Sequence, residues 1–149
     1  MTGSVAVRDA APGDVARWRE LWHGYVDGRG HAVAADVRDL TWRRALDPDV
    51  PMTCRLAVDA GGVLGFSLSV LHLSTFRRDP VCYLEDLFVD VAARRRGAAR
   101  SLLADLVHRG REQGWSVLYW HTRADNADAR ALYDEFVAAD TTVRYRLPL

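Results

Sequence analysis

Lysine is absent: all 20 basic residues of the chain are arginine, balanced by 20 acidic ones for a formal net charge of zero. Schiff-base chemistry, pyridoxal anchoring and the lysine-bearing phosphate loop are thereby excluded. Side-chain amides are nearly absent too, with Asn126 and Gln113 the single examples of their kinds. Cys54 and Cys82 are too few for a disulfide framework and lack metal-ligand spacing, so they read as free, half-buried thiols. No apolar run is long enough to span a bilayer, and residues 1–7 carry neither a basic nor a hydrophobic leader region. Balanced charge gives no long-range field for nucleic acid or an anionic membrane. The expectation is a cytoplasmic protein with neither as a partner.

What is present suits one globular domain. A chain of 149 residues, 49% of them hydrophobic, can bury roughly 68–70% of its unfolded surface without metal or disulfide staples. No repeat, linker or low-complexity run divides it, so residues 1–149 are expected to form a single domain. Residues 5–9 alternate as a short strand, and Asp14 is placed to cap a helix carrying Val15, Trp18, Leu21, Trp22 and Tyr25. Gly28-Arg29-Gly30 breaks that helix; a second begins near Ala34 or Asp36, has Val37, Leu40, Thr41 and Ala45 on one side, and ends before Asp47-Pro48.

Residues 52–59 and 63–73 read as an antiparallel hairpin around Ala60-Gly61-Gly62. Residues 81–89 form the next strand, apolar except for the adjacent acids Glu85 and Asp86. Ala99, Leu102, Leu103, Leu106 and Val107 then make one stripe of a helix that Gly114 stops. A short buried strand over 116–120, a helix over 126–137 and a last alternating strand over 142–147 complete the order β-α-α-β-β-β-α-β-α-β. This is an α/β plan with a right-handed parallel crossover over residues 81–120.

The stretch from Val89 to Leu103 passes from a strand end through Arg94-Arg95-Arg96-Gly97 into a helix. The first amides of a helix have no intrahelical acceptor and sit at the positive end of its dipole, which suits a phosphate or pyrophosphate. Gly97 allows close approach, and the arginines can screen several negative charges. A solvated basic loop is the alternative reading of the same residues.

Arg94-x-x-Gly97-x-Ala99 resembles the Arg/Gln-x-x-Gly-x-Gly/Ala signature of the GNAT superfamily of acetyl-CoA-dependent N-acetyltransferases. The segment Tyr83-Leu84-Glu85-Asp86-Leu87-Phe88-Val89 is similar to the strand of its branch that includes polyamine and small histone-type acetyltransferases. Asn126-Ala127-Asp128-Ala129-Arg130-Ala131-Leu132-Tyr133 resembles the family's Asn-x-x-Ala-x-x-x-Tyr helix. The motifs span about residues 81–137, and the order of earlier elements agrees. Three departures stand out: Arg95 replaces a common glycine, Ala99 replaces the second glycine, and no Gly-Phe pair follows Tyr133, which leaves the path of the last strand open.

The resemblance implies a GNAT-like mixed sheet flanked by helices, with acetyl-CoA as cosubstrate. It places the pantetheine arm against the backbone of Leu87, Phe88 and Val89, in a gap of the sheet that pantetheine's amides fill as a pseudo-strand. The signature around Arg94 to Arg100, including Arg95, Arg96, Gly97, Ala98 and Ala99, is implied to cradle the pyrophosphate, and Asn126 to help hold the pantetheine. Neutralising an alkylamine of pKa ~10.4 at pH 7 costs about 4.6 kcal/mol, so a base is useful. Glu85 is the candidate general base, directly or through water, with Asp86, on the opposite face by strand alternation, in reserve unless a bulge reverses them. Tyr133 is the candidate acid for the leaving thiolate, and the N–H of Leu87 the candidate oxyanion donor. An ion-paired strand acid and a core tyrosine are the structural readings of Glu85 and Tyr133.

On the acceptor side, Trp22, Tyr25 and the loop from His23 to His31 are implied to bind the amine. His72 and His121 are open between proton relay and structural histidine, and Trp120 reads as core. The expected function is direct acetyl transfer to a primary amine of a small molecule. A protein lysine or N-terminal acetyltransferase and a noncatalytic acyl-CoA-binding module are the alternatives, and a homodimer is left open.

Overall fold

The computed structural model describes residues 3–30 and 32–149. Strands β1 (Ala6–Asp9), β2 (Met52–Asp59), β3 (Gly62–His72), β4 (Val81–Val89) and β5 (Val117–Trp120) lie side by side in chain order. Pairing is antiparallel up to β4, whereas β5 runs parallel to β4 because helix α3 (Ala98–Gln113) crosses over between them. Helices α1 (Val15–Arg29) and α2 (Ala35–Leu46) cover one face, and α4 (Ala127–Asp134) follows β5. No helix among the described residues is long and apolar enough to cross a membrane.

The two faces bury different side chains. On one, Trp18, Leu21, Trp22 and Tyr25 of α1 and Trp42 of α2 pack on Leu56, Phe66 and Leu68 of the hairpin. The α2 stripe differs from expectation: Trp42 is its buried residue, while Val37 is 48% exposed. On the other face, Ala98, Leu102, Leu103 and Leu106 of α3 pack on Ala57, Leu64 and Leu84. Leu64 and Phe66 are two apart in one strand yet serve opposite faces. The register explains this: Ala57 pairs with Gly65 and Val58 with Val63, so Leu64 is an extra, unpaired residue that turns over.

Polar ties join the layers. The buried Arg55 of β2 donates twice to Asp105 of α3, at 2.9 and 2.6 Å, and once to Asp9 of β1 at 2.7 Å. Arg17 of α1 reaches Asp90, just past β4, at 2.6 Å. Asp14 stands at the start of α1 but does not cap it; its carboxylate pairs with Arg8 and accepts from the Ala11 amide. Both cysteines are free and buried. A side chain at Gly65 would collide with the carbonyl of Phe88, so this glycine lets β3 and β4 close up where β4 borders the site.

The expected sixth strand over 142–147 does not form: α4 ends at Asp134 and the chain is irregular from residue 137 onward. Val143, Tyr145 and Leu147 are 71%, 93% and 82% exposed, while Arg144 and Arg146 between them turn to a cavity beside β4. The order is therefore β-α-α-β-β-β-α-β-α.

Asp105→Ala removes two charge-assisted hydrogen bonds but leaves Arg55 its bond to Asp9, so it should lower stability by about 1.5–3 kcal/mol in urea unfolding. An unchanged midpoint would contradict the role given to Arg55.

Candidate active site

β4 pairs with β5 only from Val81 to Leu84, where Leu84 meets Trp120. Beyond that point β5 has ended, and residues 86–89 keep only their β3 partners. The freed edge of β4 borders a cavity of about 320 Å³, whose far wall carries Trp120, Thr122, Asn126 and Tyr133. Leu87 and Phe88 line the near wall and Arg94 one end. The peptide groups on this edge lack a strand neighbour, which is the condition an amide-bearing ligand satisfies.

Past β4, Asp90 caps a short 3-10 turn over Val91–Ala93, and the chain reaches α3 through two left-handed residues, Arg95 at φ 62° and Gly97 at φ 82°. Arg95 thus takes a backbone conformation that suits glycine, which accounts for glycine being common at this place in the signature. Gly97 offers no side-chain cap, leaving the first amides of α3 free for an anion. The arginines are not all available: Arg96 pairs with Asp59 and Arg100 with Glu135. Arg94 and Arg95 have no carboxylate partner among the described residues, and both are exposed.

The two strand acids sit on a bulge. Leu68 pairs with Asp86 and Ser69 with Leu84, so Glu85 is skipped by the ladder. Strict alternation assigns the acids to opposite faces; instead both border a second cavity of about 970 Å³ between β4, α1 and α2. Glu85 is exposed, free of a protein partner among the described residues, and lines both cavities. Asp86 is half-buried, accepts a 2.6 Å hydrogen bond from the Tyr25 hydroxyl, and lines only the second. Desolvation pushes its pKa up to about 6 against the pull of that hydrogen bond, with Glu85 adding repulsion. Arg29 completes the chain, with its guanidinium 4.9 Å over the Tyr25 ring and donating to the Tyr25 oxygen.

Tyr133 packs edge-on against Trp120, with ring centroids 5.4 Å apart, and its hydroxyl has no hydrogen-bond partner among the described residues. Burial raises its pKa, so the phenol keeps its proton. Asn126 caps α4 by accepting from the Ala129 amide at 3.3 Å while still bordering both cavities. His121 borders both cavities as well, whereas His72 is held by Tyr119 at 2.9 Å and lines neither. Trp22 lines the second cavity and Tyr25 both cavities; His31 lies outside the described residues. Arg44, Arg144 and Arg146, also on this cavity, carried no signal in the sequence, since only tertiary structure brings them to β4.

The model of the acetyltransferase (GNAT) family matches residues 16–136. A D-amino-acid N-acetyltransferase of Saccharomyces cerevisiae is 30% identical over 144 residues, covering 95% of this chain and 89% of the yeast protein. Among solved structures, a probable acetyltransferase superposes with a TM-score of 0.85 at 21% identity over 97% of both chains. The ribosomal-protein-alanine N-acetyltransferase of Brucella melitensis biovar Abortus 2308 does so at 0.81 and 20%, over 98% of this chain and all of that one. The aminoglycoside acetyltransferase AAC(6')-Iy, bound to a bisubstrate analogue of coenzyme A, gives 0.80 and 20%, over 98% and 99%. The chain belongs to the GNAT family and is an acetyl-CoA-dependent N-acetyltransferase.

Asp86 makes stability depend on pH. Its folded-state pKa of about 6 lies above the ordinary 3.8, so the folded protein holds the extra proton between those values. The ionised group therefore costs stability as pH rises through that window and costs nothing below it. Asp86→Asn should match the wild type in Tm near pH 3.5 and exceed it by pH 7.5. A constant Tm difference across that range would contradict the assignment.

Proposed function

We propose that the protein transfers the acetyl group of acetyl-CoA directly to a primary amine of a small molecule within a ternary complex. The observation that carries this is the meeting of two cavities at Glu85, one along the freed edge of β4 and one opening toward α1 and α2. The first fits the cosubstrate's arm: unpaired strand backbone at Leu87 to Val89, Asn126 opposite, and at its end an uncapped helix start with Gly97, Ala98 and Ala99 beside the free Arg94 and Arg95. Acetyl-CoA supplies the activated acyl group. The second cavity would take the amine. The yeast relative's activity on D-amino acids supports an acceptor of small size.

In this reading Glu85 removes a proton from the acceptor nitrogen, since its carboxylate is unpaired and reaches both cavities. Asp86, tied to Tyr25, positions Tyr25 and Arg29 and does not take the proton itself. The Leu87 N–H meets negative charge developing on the acyl oxygen, and the Tyr133 hydroxyl gives its proton to the departing sulfur. A free hydroxyl at Tyr133 favours this over a tyrosine kept for the core. A soluble, cytoplasmic protein is the matching setting.

Turnover can be followed as coenzyme A release across a panel of amines. Glu85→Gln should lower it about 10²–10⁴-fold near pH 7, with partial recovery at alkaline pH where the amine loses its proton unaided. Tyr133→Phe should slow turnover about 10- to 100-fold with Tm and acetyl-CoA affinity unchanged, because no hydrogen bond is lost. Full activity in both variants would refute the assigned roles, and release with no amine in the panel would favour a protein acceptor.

A further inference from the structure

The second cavity has a charge that its two acids do not explain. Five arginines border it, against the carboxylates of Glu85 and Asp86. Arg123 is paired with Asp125, but Arg29, Arg44, Arg144 and Arg146 have no carboxylate within salt-bridge distance among the described residues. These four come from α1, α2 and the C-terminal segment, so three separate parts of the chain bring unneutralised guanidinium groups to one space. Arg29 also lines the first cavity, which puts it where the acyl group and the acceptor nitrogen would meet.

A polycationic acceptor, such as a polyamine or an aminoglycoside, would bring its remaining ammonium groups into this field at a cost. An acceptor that carries an anion next to its amine turns the same field into binding energy. Guanidinium forks match carboxylates in shape and charge, and charge-assisted hydrogen bonds are the strong ones. The cavity also has an apolar wall: Val33, Val37, Met52 and Val70 border it, with Val33 38% and Val37 48% exposed. Amine beside Glu85, carboxylate on arginine and side chain against valine together describe one class of molecule.

We infer that the acceptor is a free α-amino acid with an apolar side chain, whose carboxylate is held by Arg29 together with Arg144 and Arg146. This rests on the N-acetyltransferase reading and names the substrate class of the same site. It also explains what the C-terminal segment does away from the sheet, since Arg144 and Arg146 border the cavity from a segment that no strand pairs with. The guanidinium of Arg29 is set by the stack on Tyr25 and, through that hydroxyl, by Asp86.

The test compares leucine and phenylalanine, in both enantiomers, with their decarboxylated amines, their amides, an N-terminal dipeptide and spermidine. One carboxylate engaged by guanidinium should make kcat/KM for the better amino-acid enantiomer about 10- to 100-fold higher than for its decarboxylated amine. The exposed pair Arg144→Gln with Arg146→Gln should raise KM for the amino acid and leave the decarboxylated amine as it was, whereas Arg29→Gln, which also borders the first cavity, should raise KM for the amino acid more than for the amine. The double variant lies outside the core, so it keeps the comparison valid if Arg29→Gln disturbs the fold. Calorimetric titration of each compound into the enzyme with coenzyme A reads binding without turnover. Equal or better use of the amine or spermidine would overturn the inference while leaving the N-acetyltransferase reading intact. Binding of the amino acid without its acetylation, or neither binding nor turnover of any amino acid, would overturn the inference, and absence of turnover with every compound would count against the transfer reading as well.

Discussion

The departure of β5 from β4 after Leu84 is the constraint on which the site depends. A parallel pair that ended flush would leave β4 fully hydrogen-bonded and the sheet closed. Because pairing stops four residues into β5, the second half of β4 is bonded on one side only. The same strand then carries the bulge that frees Glu85 and ends at the Asp90 turn that leads to α3. One strand thus supplies the wall, the acid and the entry to the helix start. Its position is fixed from its paired edge and from one face: Gly65 lets β3 approach the Phe88 carbonyl, and Gly24 lets α1 approach the Phe88 ring.

Arginine does two kinds of work in a chain without lysine. Where it is buried or half-buried with good carboxylate geometry, as at Arg55 with Asp105 and Asp9 or Arg17 with Asp90, it joins helices to strands. A planar fork can bond two carboxylates at once, which an ammonium group on a flexible stem does less well. Where carboxylates are withheld, as around the second cavity, the charge is left for a ligand.

Much of this was legible in the sequence, for identifiable reasons. β2 and β4 begin and end as expected because alternation or apolar content is sharply bounded by Gly61-Gly62, Pro80 and Asp90, and α3 because Gly97 and Gly114 flank its stripe. The short-range motifs placed Glu85, Asn126 and Tyr133 on one space. What escaped was decided by contacts distant in sequence. The bulge that brings Asp86 to the same cavity as Glu85 depends on the register with β3, and the loss of Arg96 and Arg100 to Asp59 and Glu135 depends on where a hairpin turn and the end of α4 fall. The final segment misled because its alternation is matched by neither pairing nor burial: no strand neighbours it, and every residue from 137 onward is exposed.

Every role assigned to the site requires the freed edge of β4 to be the seat of the cosubstrate. A crystal structure of the protein with coenzyme A tests this most directly. The expected result is a pantetheine arm running between Leu87 to Val89 and Asn126, bonded to the strand's backbone, with its sulfur beside Glu85 and Tyr133 and its pyrophosphate at the start of α3. Coenzyme A bound elsewhere, with β5 or the C-terminal segment closing the edge of β4, would contradict it.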